Sequence, residues 1–285
     1  APSHRSQPMA DTAKRPGIVA GSAQKFEKLS IIVPVYNERW SLAEVIRRVL
    51  DSPVALDKEV IIVDDGSSDG SYEVALELAR RDSRVKVIRH ERNAGKGAAL
   101  RTGIAAISGD VAIIQDADFE YDPADYPHLL APILEGKADA VYGSRFVGHC
   151  RRVLFFWHTL ANKFLTLVSN MVNDLNLTDM ETGYKAIRAD ILRHLRLTAK
   201  TFTIEPELTC RLAQWGARIY EVPISYTGRT YDEGKKIRPR DGLKALAAIL
   251  YYRFLDTQFT DDEAFATLRS VKRATAYNRW IIDNV

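Results

Sequence analysis

Short apolar runs alternate with amphipathic segments along the first half of the chain, from Leu29 onward. The apolar runs are rich in β-branched residues, and we predict that they are strands at 30–35, 59–63, 85–89, 111–115 and 138–142. The amphipathic segments predict helices at 40–51, 69–81, 96–108 and 124–135. Strands that are apolar on both faces are typical of a sheet covered by helices on both sides. The alternation therefore predicts an α/β protein with a doubly wound, mostly parallel, Rossmann-like sheet.

The pattern changes after residue 145. Residues 153–173 are amphipathic and rich in large apolar side chains, which predicts a helical insertion, and residues 178–190 read as irregular. A helix near 205–215, a strand near 218–223, a polar basic loop at 227–241 and a helix at 242–255 follow. The sequence Thr260-Asp261-Asp262-Glu263 resembles a capping box and predicts a last helix over 260–284. We therefore divide the chain into a disordered tail (1–28), a main domain (29–256) and a C-terminal helical extension (257–285).

Composition narrows the partners. The formal net charge of the 285 residues is only +3, which gives no reason to expect non-specific binding to nucleic acid. Cys150 and Cys210 lack the spacing of a zinc site or a disulfide framework, and residues 1–25 contain no apolar core of a secretory signal. No run approaches the roughly 18 apolar residues of a membrane-spanning helix. These features favour a cytoplasmic location and leave the oligomeric state open.

Three predicted strands end in polar residues. The first runs into 34–38 (PVYNE), the second into 64–69 (DDGSSD) and the fourth into 116–120 (DADFE). Ligands of doubly wound sheets bind beyond the carboxyl ends of the strands, so these segments should meet at one edge. We predict an active site there.

The segment 116–120 offers oxygen ligands for a cation. Asp116 and Asp118 flank Ala117, and Glu120 follows two residues later. Carboxylates suit Mg²⁺ or Mn²⁺, either of which can neutralise a departing diphosphate. An acidic triplet alone is weak evidence, because acidic turns after strands are common.

Two further segments bear on a nucleotide. Asp64 and Asp65 can accept hydrogen bonds from a base or a ribose, although the simpler interpretation is a turn. Small residues around Lys96 (93–97, NAGKG) precede a predicted helix and resemble a phosphate-binding loop. The loop does not have the spacing of a Walker A motif.

Longer strings carry a family resemblance. IIVPVYNE, VDDGSSDG, NAGKGAALRTGI, GDVAIIQDADFEYDP and YGSRF stand in the order found in family 2 glycosyltransferases, whose fold is called GT-A. The match covers roughly residues 29–255. TDMETGYKAIRADIL and GRTYDEGKKIRPRDGLKAL are similar to the polyprenyl-phosphate and dolichyl-phosphate sugar synthase branch.

The resemblance implies roles for individual residues. It places the nucleobase and ribose of a UDP- or GDP-sugar near Pro34, Tyr36, Glu38 and Asp65, with Lys96 and Ala117 also on the donor side. It places Mg²⁺ or Mn²⁺ at Asp116, Asp118 and Glu120. Arg145 is expected to meet a phosphate, and Arg229, Lys235 and Lys236 are expected to close over the diphosphate.

The resemblance also implies an inverting displacement at the anomeric carbon, with a polyprenyl phosphate as acceptor. A phosphate monoester is largely ionised at neutral pH and needs no base, whereas a sugar hydroxyl does. Asp179 and Glu181 are the candidates for that base. Three alternatives stay open: a soluble or polysaccharide hydroxyl acceptor, an inactive sugar-nucleotide-binding regulatory module, and a nucleotidyltransferase. The QxxRW signature of processive synthases is absent.

The predicted insertion suggests how a lipid acceptor is reached. It carries a stripe of large apolar residues, preceded by Arg151 and Arg152, that would suit a peripheral contact with an anionic membrane surface. The stripe consists of Leu154, Phe155, Trp157, Leu160, Phe164, Leu165 and Val168.

Overall fold

The computed structural model describes residues 25–148, 152, 155–229 and 239–256. Lys235, Lys236, Arg151, Leu154 and the predicted last helix at 260–284 lie outside the described residues. Lys28, which the sequence prediction assigned to the tail, is instead the first residue of a strand, because it pairs with Asp57 of the neighbouring strand.

Within the described residues, seven strands form one sheet in the order β3-β2-β1-β4-β6-β5-β7. Their bounds are β1 Lys28–Val35, β2 Asp57–Asp64, β3 Val85–Arg89, β4 Val111–Ile114, β5 Ala140–Ser144, β6 Lys185–Arg188 and β7 Ile219–Pro223. The helices are α1 Leu42–Asp51, α2 Ser71–Arg81, α3 Lys96–Ala106, α4 Tyr126–Leu134, α5 Phe156–Asn173, α6 Ala189–His194, α7 Ile204–Trp215 and α8 Pro239–Phe254. The mostly parallel sheet and the five strands predicted along the first half of the chain are confirmed.

The sequence prediction was wrong for 178–190. This segment contains β6 and the start of α6, and β6 runs antiparallel between β4 and β5. With four residues, β6 is too short to show a period, and its first residue, Lys185, is a charged side chain in a fully buried position. The antiparallel strand brings residues 179–183 to the edge where β4 ends.

Side chains alternate between the two faces of each strand, so each face has its own core. Leu29, Ile31 and Val33 of β1 pack with α1 and α4 on one face. Ile32 packs on the other face, with α3, α7 and α8. The sheet is therefore covered by helices on both sides, which explains why its strands read as continuous apolar runs.

The sheet reverses its strand order at β1. β1 pairs with β2 on one side and with β4 on the other, and all three run parallel. A crevice opens between the carboxyl ends of two parallel strands at such a reversal. The segments after β1, β2 and β4 meet at this edge, as predicted.

Candidate active site

Asp116, Asp118 and Glu120 follow β4 directly. Asp118 is 8% exposed, and its Oδ1 accepts a hydrogen bond from the Glu120 backbone N–H at 3.0 Å. This local bond folds the segment back on itself. Three carboxylates are thereby held within five residues of chain at the edge of the sheet.

Arg229 joins these carboxylates to the end of β1. Its guanidinium contacts Asp118 and lies 3.4 Å from Glu38 Oε1 and 3.6 Å from Glu120 Oε1. Its backbone N–H donates to Glu120 Oε1 at 2.8 Å, and the Tyr226 hydroxyl donates to Glu120 Oε2 at 3.1 Å. Residues predicted from three distant segments thus lie together around the guanidinium of Arg229.

Lys96, the first residue of α3, is the counter-ion of Asp116. Its Nζ lies 2.8 Å from Asp116 Oδ1. The loop before β6 packs against this pair at Gly183, where an added Cβ would lie 2.7 Å from Asp116 Oδ2 and 3.2 Å from Lys96 Nζ. Only glycine fits such an approach without displacing the ion pair.

The charge balance at this site suits a cation. Burial, together with the neighbouring carboxylates of Asp116 and Glu120, raises the pKa of Asp118, although Arg229 opposes the shift. In the part of the chain that the structure describes, no three acidic, histidine or cysteine side chains are grouped as ligands of one ion. Carboxylate oxygens are suitable ligands for Mg²⁺ or Mn²⁺. In this arrangement, however, Arg229 and Lys96 provide the positive charge beside them.

Arg145 follows β5 and is clamped by Asp179. Arg145 Nε and Nη2 donate to the two carboxylate oxygens at 2.6 Å and 2.8 Å, and the Arg145 backbone N–H donates to Asp179 Oδ2 at 3.1 Å. Asp179 is completely buried. Both oxygens of the Asp179 carboxylate are thus engaged by Arg145 and hold its guanidinium in place.

Glu181 differs from Asp179. Its Oε1 is buried and has no hydrogen-bond partner. Burial, reinforced by the Glu205 carboxylate, raises the pKa of Glu181 to about 7. Of the two base candidates that the sequence offered, Glu181 is the one with the properties of a general base.

The ends of β1 and β2 form the part of the edge where the sequence predicts a nucleotide. Pro34 is half-buried and Tyr36 is 41% exposed. The Asp65 carboxylate accepts hydrogen bonds from the Ala94 and Gly95 N–H groups at 2.9 Å and 2.7 Å and contacts His90 Nδ1 at 2.7 Å. Asp65 thus holds the 93–95 loop, which leaves it less available to a nucleotide than its position suggested.

The loop at 93–97 also differs from the phosphate-binding loop that the sequence predicted. Besides the two N–H groups bound to Asp65, the Ala98 N–H donates to the Lys200 carbonyl at 3.1 Å. These three N–H groups are not available to a phosphate. By contrast, Asp64 Oδ1 is buried and has no hydrogen-bond partner. From the sequence, Asp64 was named only together with Asp65, as an acidic pair.

Two charged residues escaped the sequence analysis. Lys185 is completely buried and contacts Glu205, which is 4% exposed and lies 3.4 Å from Lys96. A charged residue inside a short apolar stretch, as in 184–187 (YKAI), is the signal that would have identified Lys185. Glu205 lies within a predicted helix and carries no such signal.

Comparisons with known proteins identify the family of this chain. Residues 30–196 match the model of the family described as "Glycosyl transferase family 2". The chain is 35% identical over 214 residues to the undecaprenyl-phosphate mannosyltransferase of Micrococcus luteus, covering 72% of this chain and 85% of that one. It is 31% identical over 211 residues to the dolichol-phosphate mannosyltransferase of Pyrococcus furiosus, covering 73% of this chain and 59% of that one.

Among solved structures, the fold is similar to that of glucosyl-3-phosphoglycerate synthase from Mycobacterium tuberculosis, in complex with Mn²⁺, UDP and phosphoglyceric acid. The TM-score is 0.62 at 22% identity, over 81% of this chain and 80% of that one. At this identity the likeness shows the GT-A fold alone. The family match and the sequence relatives show that the chain belongs to glycosyltransferase family 2. These sequence relatives and an undecaprenyl-phosphate 4-deoxy-4-formamido-L-arabinose transferase are enzymes of the polyprenyl-phosphate sugar transferase branch.

Proposed function

We propose that this chain is an inverting glycosyltransferase that moves a hexose from a nucleoside-diphosphate sugar to a polyprenyl phosphate. The observation that carries the proposal is the cluster of carboxylates after β4, which is paired with Lys96 and Arg229. Arg145 is the third cation, and its guanidinium lies 5.2 Å from the ring of Tyr226, whose hydroxyl donates to Glu120. The three cations supply charge for phosphates at the edge where a doubly wound sheet binds ligands. The names of the sequence relatives support the acceptor class, and the fold neighbour's complex with UDP supports the donor class.

Mg²⁺ or Mn²⁺ completes this site in our proposal. Asp116, Asp118 and Glu120 would hold the ion, which when bound neutralises charge on the departing diphosphate. The donor set fits because the pKa of Asp118 is raised by burial and by its acidic neighbours, so an added cation is favourable there. The fold neighbour's complex with Mn²⁺ and UDP supports the same assignment.

Several residues of the chain would bind the nucleotide-sugar donor. Arg229 and Glu38 lie between the metal-binding segment and the end of β1, where Pro34 and Tyr36 would contact the nucleoside. Lys96 and the Ala117 backbone would line the same donor side. Lys235 and Lys236, which follow Arg229 in the sequence, lie outside the described residues and keep their predicted role at the diphosphate.

Arg145 is the acceptor-side cation in our proposal. Its guanidinium keeps a fixed orientation because Asp179 accepts two of its N–H groups and the Tyr226 ring lies 5.2 Å from its central carbon. A phosphate acceptor brings its own nucleophilic oxygen, already ionised at neutral pH. Arg145 would orient that oxygen for in-line attack, and no base is required.

A hydroxyl acceptor is the second candidate, and Glu181 is the observation that favours it. A buried carboxyl with a pKa of about 7 and one unpartnered oxygen can take a proton from a sugar hydroxyl. The two acceptors make opposite demands on this residue. Loss of Glu181 should abolish transfer to a hydroxyl and spare transfer to a phosphate.

The apolar face of α5 supports a lipid acceptor. Leu165 is buried against the core, whereas Trp157 and Phe164 are 74% and 52% exposed. Four more exposed apolar side chains lie on α5: Phe156, Leu160, Leu167 and Met171. None of the helices in the described ranges is long and apolar enough to cross a membrane. We propose that this exposed face of α5 contacts a membrane surface peripherally.

A screen of donors and acceptors tests the proposal. The chain is incubated with UDP-, GDP- and dTDP-sugars and Mn²⁺, with either a short-chain polyprenyl phosphate or a soluble sugar as acceptor. We expect one donor to yield nucleoside diphosphate and a glycosyl phospholipid together. Transfer only to the soluble sugar would favour the hydroxyl candidate, and no release of nucleoside diphosphate from any donor would favour an inactive binding module.

A further inference from the structure

The side chain of Lys185 is fully buried at the start of β6. Its ammonium donates to the carbonyls of Met180, at 3.2 Å, and Thr182, and to the Glu205 carboxylate. A buried ammonium is costly unless its donors are all satisfied, and here three acceptors match its three N–H donors. Lys185 is therefore a fixed anchor and not a mobile charge.

Glu205, in the first turn of α7, is held between two lysines. Its Oε2 accepts from Lys185, and its Oε1 lies 3.4 Å from Lys96 Nζ. Lys96 in turn lies 2.8 Å from Asp116 Oδ1. Charges of alternating sign thus run from Lys185 at the start of β6, through Glu205 and Lys96, to the first carboxylate after β4.

Lys96 is consequently shared between two carboxylates. A cation that enters beside Asp116 must compete with the Lys96 ammonium, because like charges repel strongly where water is largely excluded. Glu205 offers that ammonium a second partner, with its Oε1 3.4 Å from Lys96 Nζ. The close approach of Gly183 leaves little other space for Lys96 to move into.

We propose that Glu205, fixed by Lys185, is a positioning residue that draws Lys96 away from Asp116 and so makes Asp116 available to a divalent cation. Glu205 acts through Lys96 and does not itself meet the cation or the substrate. The inference rests on the proposed role of Asp116 in metal binding. The proposed reaction does not use Lys185 or Glu205 directly. The inference gives these two buried charges a role in setting the metal affinity of the site.

The test measures Mn²⁺ binding to the purified full chain without nucleotide, from the electron paramagnetic resonance signal of free Mn²⁺. Glu205→Gln keeps the shape of the side chain but removes the charge that attracts Lys96, so we expect Mn²⁺ affinity to fall about tenfold, equivalent to about 1.4 kcal/mol. Lys96→Gln removes the competing cation and should raise the affinity. In the double variant, Glu205→Gln should add nothing to the effect of Lys96→Gln, because its influence passes through Lys96.

Glu207→Gln is the matched control. Glu207 is a buried carboxylate on the same helix, but it binds Thr198 and Arg211 and not Lys96. It should leave Mn²⁺ affinity unchanged even if it lowers the melting temperature. This separates a specific effect of Glu205 from a general loss of stability.

Unchanged Mn²⁺ affinity in folded Glu205→Gln would overturn the inference, as would an effect of Glu205→Gln that persists in the Lys96→Gln background. If Glu205→Gln does not fold, Lys96→Gln alone decides, and affinity no higher than that of the wild type would be the contrary result. A wild-type chain that binds no Mn²⁺, even with UDP present, would instead contradict the proposed metal site. That failure is seen before any variant is compared.

Discussion

Replacing Asp179 with asparagine should destabilise the protein sharply. The carboxylate is completely buried and binds Arg145 through both oxygens, at 2.6 Å and 2.8 Å. Asparagine is nearly the same size, so the substitution leaves no cavity. It removes the charge and leaves the Arg145 guanidinium, whose side chain is only 16% exposed, without a counter-ion in a mostly dry site.

The expected size follows from this burial. Removing one partner of a buried ion pair costs about 3–5 kcal/mol, and the slight exposure of Arg145 puts Asp179→Asn near about 3 kcal/mol. For a domain of this size, a loss of 1 kcal/mol lowers the melting temperature by about 2–4 °C. We therefore expect a decrease of about 6–12 °C, measured by differential scanning fluorimetry and checked by urea unfolding.

Glu44→Gln is the control for this prediction. Glu44 pairs with Arg47 at 2.7 Å and with Arg48 at 2.8 Å, distances comparable to those of the Asp179 pair, but on the exposed surface of α1. Exposed pairs contribute little, so this variant should melt at the wild-type temperature. A loss below about 1 kcal/mol for Asp179→Asn, or equal losses for both variants, would refute the reasoning from burial.

Three further predictions concern pH, metal and membrane. Burial raises the pKa of Glu181 from 4.5 to about 7, so between these pH values the folded chain keeps a proton that the unfolded chain loses. The free energy of unfolding should therefore fall as pH rises from 4.5 to about 7, and Glu181→Gln should flatten that fall in urea titrations. Equal slopes for the wild type and the variant would contradict this prediction. Arg229→Gln should strengthen Mn²⁺ binding without nucleotide but weaken UDP binding, and calorimetry showing both unchanged would exclude Arg229 from the site. Trp157→Ser with Phe164→Ser should reduce co-sedimentation with anionic liposomes at least tenfold, since each buried aromatic contributes about 1.5–3 kcal/mol, whereas equal binding would remove α5 from the membrane contact.

The edge of the sheet could be predicted because it depends on local patterns. The apolar runs predict parallel strands, and the carboxyl ends of neighbouring parallel strands lie at the same edge of a sheet, whatever segments connect them. Asp116 and Glu38 were therefore expected at one edge from strand order alone. The structure joins the two segments through Arg229, at 3.4 Å from Glu38 and in contact with Asp118.

The partners within the site could not be predicted, because they depend on packing between distant segments. Asp179 and Glu181 are two residues apart and looked equivalent in the sequence. Burial against Arg145 engages the first, while the second is left with an unpartnered oxygen. The contact between Lys185 and Glu205 depends on β6, a four-residue strand with no visible period.

Transfer by Asp118→Asn tests the central claim most directly. Asparagine nearly matches aspartate in size, and the pKa of Asp118 is already raised by burial, so the variant should fold as the wild type does. With the preferred donor, Mn²⁺ and a short-chain polyprenyl phosphate, the wild type and the exposed control variant Glu91→Gln should form nucleoside diphosphate and glycosyl phospholipid in equal amounts. Asp118→Asn should be slower by about a hundredfold, or about 2.7 kcal/mol in the barrier. Wild-type turnover by folded Asp118→Asn at saturating Mn²⁺ would contradict the account.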